Sequence, residues 1–293
     1  MRYQGNIYRP PPEHDAYILQ CTIGCSYNKC TYCAMYKDVR YQVRTIEALK
    51  EDIQMAKSAY GSSVKKVFLS DGDAISLPTE MLVEILSELY AVFPKLNHVS
   101  TYAGPQSTLS KTEEELKQLK EAGLTMTYLG VESGADEVLS AVRKGVTAEE
   151  MLKAGSSIVQ AGIKLVAMVM IGLGGSGQRS QLHAKKTAEL INRMQPQLLG
   201  TLTTVPIEGT VLFNQQSKGD FKLLDPYQVL EEMKTLLEHL DLPDLYVDGT
   251  HASNLLPIKG LLKEIKPSVL GSINEYLLSK DEALIGRAYI GRF

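Results

Sequence analysis

All four cysteines of the chain lie in one stretch, CTIGCSYNKCTYC from Cys21 to Cys33, separated by gaps of three, four and two residues. A disulfide framework does not explain such clustering in a reducing compartment, whereas metal binding does, because short gaps let one loop wrap one inorganic centre. Two centres come into question. A four-cysteine zinc site is possible in principle, although zinc modules usually set two cysteine pairs on separate turns about a dozen residues apart. An iron-sulfur cubane suits a single tight loop better, and if only three thiolates hold it, one iron keeps an open position that can chelate an amino and a carboxylate group. Cys21 then has a plainer role, since an unligated cysteine is a common core residue.

Such a loop needs a scaffold to hold it. Short β-branched or apolar runs recur at residues 16–20, 66–70, 98–102, 126–130, 164–171, 198–204 and, more weakly, 245–247. Amphipathic stretches fill the intervals, which is the alternation of a parallel sheet wrapped by helices. The fold class expected is α/β: a partial (β/α)6-7 barrel with a small C-terminal extension, or else an open doubly wound sheet. Ser110 with Glu113 and Thr147 with Glu150 match the capping box, and Gly123 and Gly162 follow periodic segments where a left-handed residue can end a helix. No low-complexity segment or charge block interrupts residues 1–293, so a single domain is expected, with a core over 15–240 and an extension over 241–293. In either architecture the chemistry belongs at the C-terminal ends of the strands.

The composition is that of an ordinary globular protein, with 44% hydrophobic residues and a formal net charge of -3. Lys and Arg are scattered, so no polynucleotide partner is indicated. The N-terminal residues lack the apolar core of a signal peptide, and no stretch reaches the ~18 apolar residues of a membrane span, so a cytoplasmic protein is expected.

The ending formed by Cys30, Tyr32 and Cys33, in a loop after the first strand, resembles the hallmark of the radical S-adenosylmethionine (SAM) superfamily. The usual spacing there is C-x3-C-x2-C; Cys25, Cys30 and Cys33 give C-x4-C-x2-C, and Cys21 competes for the first place. The resemblance implies a 4Fe-4S cluster on Cys25, Cys30 and Cys33 that cleaves SAM reductively to a 5'-deoxyadenosyl radical, with an electron donor such as flavodoxin or ferredoxin. It also implies SAM contacts. Asp71-Gly72-Asp73 stands where the superfamily commonly has Gly-Gly-Glu, and the segment 127–145 resembles the branch of oxygen-independent coproporphyrinogen oxidases and methylthiotransferases. In that branch an acid at the Glu132 position lies near the SAM ribose, Arg143 would reach the SAM carboxylate, and Ile171-Gly172 would approach the adenine. Each has a plainer reading: an Asp-Gly turn, a capping acid, a solvated helix charge.

Gly172, Gly174 and Gly177 also spell the G-x-G-x-x-G of a dinucleotide fold, which would make the protein a nicotinamide-dependent oxidoreductase, but the acid expected about 20 residues later is missing until Glu208. Substrate contacts are expected from Tyr102, Glu208, Asp248, His251 and Asn254, polar or stacking groups near strand ends. With only Cys21 left over, auxiliary-cluster enzymes and sulfur inserters are not expected, and a chain of 293 residues without the RNA-binding and cobalamin domains of larger relatives points to a small-molecule substrate. Overall resemblance to queuine lyases suggests a modified nucleobase, whose donor edge Glu208 or Asp248 would read.

Overall fold

A computed structural model describes residues 1–280. The strands are β1 (Tyr17–Gln20), β2 (Thr22–Ile23), β3 (Gln42–Val43), β4 (Lys66–Ser70), β5 (His98–Ala103), β6 (Met126–Glu132), β7 (Lys164–Ile171), β8 (Leu198–Thr203), β9 (Tyr246–Asp248) and β10 (Lys259–Leu261). The helices are α1 (Ile46–Tyr60), α2 (Thr79–Val92), α3 (Pro105–Leu109), α4 (Glu113–Glu121), α5 (Asp136–Ala141), α6 (Ala148–Gln160), α7 (Gln178–Met194), α8 (Val211–Lys218), α9 (Pro226–His239) and α10 (Leu262–Ser279). One eight-stranded sheet has the order β1-β4-β5-β6-β7-β8-β9-β10. Its neighbours β1, β4, β5 and β6 pair in parallel, as do β7, β8 and β9. The final strand, β10, pairs antiparallel with β9. The α/β class and every strand expected from the apolar runs are present; β10 and the two-residue β2–β3 ladder are additions.

Contacts sort the chain into two compact units. The first holds residues 1–28, 35–129 and 154–165. On its strands, Phe68, Tyr102 and Tyr128 meet edge to face, with ring centroids 5.1 Å apart for Phe68–Tyr102 and 6.2 Å for Tyr102–Tyr128. On the helices, Leu49 and Ile53 of α1, Ile85 and Leu89 of α2 and Leu116 of α4 are fully buried. Each such side chain contributes about 2 kcal/mol of transfer free energy, and together they fix the helices to the sheet. The N-terminal cap of α4 is Thr112 with Glu115, not Ser110 with Glu113. Ser110 instead closes the short α3, where its hydroxyl donates to Ser107 O at 2.7 Å. Buried Glu13 accepts from Tyr128 Oη at 2.8 Å and pairs with His98 Nε2 at 2.9 Å. Those contacts outweigh burial and hold its carboxyl below the usual range.

The second unit holds residues 29–34, 130–153 and, of the described residues, those from 166 to 280. Here α7, α9 and α10 pack in succession. A capping box of Asp225 and Gln228 starts α9, with Pro226 in its first turn. Thr147 and Glu150 form the expected reciprocal cap, at 2.7 and 3.2 Å. The region expected as a C-terminal extension contributes β9, β10 and α10, and its residues 281–293 lie outside the described residues. No described helix is long and apolar enough to cross a membrane.

Candidate functional site

In the first unit, the loop after β1 is held by the turn after β4. Cys21 is fully buried, its N–H donates to Ser70 O, and its thiol lies 3.4 Å from Leu19 O. Burial pushes that thiol up to about 12, against a smaller opposing effect of Arg44. A ligating cysteine must give up its proton, so Cys21 is a poor competitor for the first ligand position. Cys25 is partly exposed. Gly72 packs against it so closely that a Cβ there would stand 3.0 Å from Cys25 Cβ and 2.5 Å from the Tyr36 ring.

Both carboxylates of the turn are buried and occupied. Asp71 accepts from Tyr36 Oη, from Gln20 Nε2 at 3.3 Å and from Gly24 N at 3.3 Å. Burial nevertheless raises its carboxyl, with these donors opposing. Asp73 accepts from Ser26 Oγ, from Ser107 Oγ at 2.5 Å and from Gly104 N at 2.6 Å. Arg44 is buried and consumed by Asp52 at 2.6 Å and Gln20 O at 3.0 Å. Tyr102 sits half-buried among Phe68 and Tyr128.

In the second unit, Cys30 and Cys33 flank Tyr32. The loop is anchored there by Thr31, whose N–H donates to Val142 O at 2.9 Å while its carbonyl accepts from Leu212 N at 3.0 Å. Tyr32 packs on the apolar group of Ala135, Val138, Val142 and Leu173. Burial, followed by the charges of Glu132 and the two cysteines, raises its phenol well above the ordinary value. Glu132 and Lys144 form a buried ion pair at 3.0 Å, and Lys144 Nζ lies 3.5 Å from Tyr32 Oη. The sequence ranked Arg143 with Glu132. In the structure α5 ends at Ala141 and Arg143 takes a left-handed φ of 53°, so it is Lys144 that turns inward onto Glu132 while Arg143 is exposed.

Ile171 and Gly172 end β7 in a network that no motif announced. Gly172 N donates to Glu232 at 2.5 Å, and Ser180 Oγ donates to the same carboxylate. His183 lies 3.5 Å from Glu232, 3.0 Å from Met170 O and 2.8 Å from Ser133 Oγ. Burial raises Glu232 to about 7 and lowers His183 to about 4. The available signal was one acid on the apolar face of α9, among Val229, Leu230, Met233 and Leu236. The same network speaks against a dinucleotide fold, because the first N–H of the glycine run already serves an internal carboxylate.

The other expected substrate residues divide. Asn254 is saturated: its amide donates to Thr201 O at 2.7 Å and Gly249 O at 2.8 Å, and its carbonyl accepts from Thr203 Oγ1 at 2.9 Å. His251 meets Ser253 Oγ at 2.8 Å, and burial lowers its pKa. Asp248 accepts from Thr250 Oγ1 at 2.6 Å and pairs with Lys259 at 3.1 Å; burial opposes these contacts, but they hold its carboxyl below the usual range. Glu208 is exposed in the turn before α8.

The radical SAM superfamily profile matches residues 19–180, over half of the sequence, and the chain belongs to that superfamily. It is 25% identical over 164 residues to a tRNA uridine(34) acetyltransferase of Methanocaldococcus infernus, covering 55% of this chain and 30% of that protein. The chain thus spans under a third of the length of the acetyltransferases it matches. It is 21% identical over 218 residues to the heme chaperone HemW of Bacillus subtilis, covering 74% of this chain and 56% of HemW. Among solved structures, the radical SAM methyltransferase TsrM of Kitasatospora setae, with cobalamin and a [4Fe-4S] cluster bound, superposes with a TM-score of 0.57 at 14% identity, over 89% of this chain and 61% of TsrM.

The superfamily's cofactors are a 4Fe-4S cluster and SAM. Among the described residues, no group of three or more His, Cys, Asp or Glu side chains is arranged to hold a metal ion. The fit therefore rests on donor chemistry: Cys25, Cys30 and Cys33 lie outside any disulfide at partly exposed positions, whereas Cys21 is enclosed.

Proposed function

We propose that Cys25, Cys30 and Cys33 hold the cluster and that the chain is a radical SAM enzyme acting on a small heteroaromatic substrate. The observation that carries the reading is the division among the cysteines: three partly exposed thiols in one short loop inside the matched segment, and a fourth buried and neutral. When bound, the cluster supplies one electron that splits SAM into methionine and a radical able to remove a hydrogen atom from substrate.

The chain's own residues bind and orient. Backbone carbonyls at Gly72 serve the SAM ammonium, Glu132 takes the ribose, and Ile171 with Gly172 lines the adenine. Arg143, exposed next to the buried Lys144, takes the SAM carboxylate, for which a guanidinium is well shaped. Tyr32 shields the cysteines on either side of it from water and oxygen. A flavodoxin or ferredoxin supplies the electron. For the substrate we favour a modified base such as queuine, cleaved by a lyase reaction and read by the exposed carboxylate of Glu208, with Tyr102, His251, Asn254 and Asp248 shaping the surroundings.

The match to tRNA uridine(34) acetyltransferases supports a second reading, in which the substrate base is still part of a tRNA. Anaerobic reconstitution with iron and sulfide, reduction by dithionite with SAM, and quantitation of 5'-deoxyadenosine test the assignment. Formation that Cys30→Ala abolishes is expected. A colourless protein that leaves SAM intact would overturn it. Stimulation by queuine supports the small-molecule reading, and stimulation by tRNA alone replaces it with the second.

A further inference from the structure

The Asp71-Gly72-Asp73 turn touches the cysteine loop on both sides of one residue. Before Cys25, Gly24 is held twice: its N–H donates to Asp71 Oδ2 at 3.3 Å, and its carbonyl accepts from Gly72 N at 3.2 Å. After Cys25, the hydroxyl of Ser26 donates to Asp73. Between these anchors, Gly72 lies against Cys25, and the space where a side chain would stand is already filled by Cys25 and Tyr36. The turn is tied back in its own right. Asp71 receives Tyr36 Oη and Gln20 Nε2. Asp73 receives Ser107 Oγ at 2.5 Å and Gly104 N at 2.6 Å, with Gly104 approaching so closely that a Cβ there would stand 2.7 Å from Asp73 Oδ2. Both carboxylates are nearly inaccessible, at 1% for Asp71 and 2% for Asp73.

A carboxylate offers about four lone-pair positions. Asp71 uses its positions on Tyr36, Gln20, Gly24 and Ser70, and Asp73 has at least three donors in place. An ammonium group approaching Asp71 would have to displace an internal donor, and one approaching Asp73, at 2% exposure, would have to part the Ser26, Ser107 and Gly104 groups that enclose it. We propose that the turn is a clasp for Cys25, and that Asp73 in particular is a positioning residue that acts through that cysteine rather than by contact with SAM. The inference rests on the reading of Cys25 as a cluster ligand. The clasp also answers a peculiarity of the sequence: four residues separate Cys25 from Cys30, which leaves a longer, looser span than three would. Gripping Cys25 from both neighbours removes that slack where it matters.

The test uses the full chain, freed of iron, with N-ethylmaleimide labelling of each cysteine followed by peptide mass spectrometry under anaerobic conditions. Asp73→Ala and Ser26→Ala are expected to label Cys25 about tenfold faster than the parent, the factor for losing one charge-assisted hydrogen bond. Cys30 and Cys33 should label at the parent rate. After reconstitution both variants should retain less iron, and their reduced-cluster paramagnetic resonance should weaken before any SAM is added. Asp73→Asn should behave as the parent in all three, because its carboxamide can still accept from Gly104 N and bond both serines.

Parent labelling and iron content in Asp73→Ala, with SAM affinity lost, would overturn the proposal and make Asp73 a SAM ligand. So would an Asp73→Asn that resembles Asp73→Ala. If Asp73→Ala does not fold, Ser26→Ala decides alone, since its side chain is exposed. Accelerated labelling of Cys25 in the two variants, together with a parent protein that takes up no cluster, would leave the clasp standing and sink the proposed function instead.

Discussion

Replacing Glu232 by Gln should stabilise the protein at alkaline pH and leave it nearly unchanged in mild acid. Glu232 is fully buried, and burial raises its carboxyl from 4.5 to about 7. A raised acid keeps its proton in the native state after the unfolded chain has released it, so stability falls as pH climbs through this interval and stays reduced above it. At about 1.36 kcal/mol per pH unit, the loss above pH 7 is at most about 3 kcal/mol. Gln resembles the protonated acid in shape; its carbonyl can accept from Gly172 N and its amide can donate to Ser180 Oγ. The variant should therefore lie within about 1 kcal/mol of the parent at pH 5 and exceed it by about 2–3 kcal/mol at pH 8. His183 has the opposite sign. Its pKa is lowered from 6.5 to about 4, so its contribution grows as pH rises through that range. In the parent the two trends largely cancel, and in Glu232→Gln the rising limb of His183 should stand alone. Urea unfolding followed by circular dichroism between pH 4.5 and 8 measures both curves. A variant less stable than the parent at pH 8, or with an identical pH profile, would refute the reasoning.

Cys21→Ala should keep the parent's iron uptake at a cost of about 1 kcal/mol for the lost core volume, whereas Cys33→Ala should lose the iron; colorimetric iron analysis distinguishes them. Lys144→Met leaves the Glu132 carboxylate buried without its cation and should cost about 3–5 kcal/mol in chemical unfolding, with most of that recovered when Glu132→Gln is added. Gly130→Ala places a Cβ 2.3 Å from Glu132 Oε1 and 2.9 Å from Lys144 Nζ, so thermal unfolding should show a loss of about 1–3 kcal/mol, and a loss under 0.5 kcal/mol would mean the pair is free to move.

How much of this could be read from the chain depends on the range of the interaction. The parallel strands were legible because β4 and β7 are buried on both faces and read as unbroken apolar runs, and the intervening helices carry their own amphipathic period. β10 was not, since three residues after a polar loop have no pattern of their own and become a strand only by pairing with β9. The cap of α4 shows a local ambiguity: Ser110 and Thr112 each precede an acid by three residues, and the choice falls to Thr112 because Ser110 already ends α3.

The site divides in the same way, between residue type and residue direction. Cysteine spacing marked the loop, and Cys21 could be set apart by its place beside an apolar strand. What an acid does once it is found depends on partners distant in sequence. Asp71 and Asp73 stand where acidic partners for SAM were expected, yet their donors come from Gln20, Gly24, Ser26, Gly104 and Ser107, none of which a local pattern connects to them. Asn254 and Asp248 likewise looked available and are spent on Thr201, Thr203, Thr250 and Lys259. Glu232 is the converse. It carried no motif, but a single carboxylate on a stripe of Val, Leu and Met is too costly to bury without a purpose, and the purpose is the backbone N–H that ends β7. A charged residue that breaks an apolar helical period is thus a sharper pointer to a buried polar network than a polar residue on a loop is to a ligand, because the first must find partners inside the protein and the second has water as an alternative.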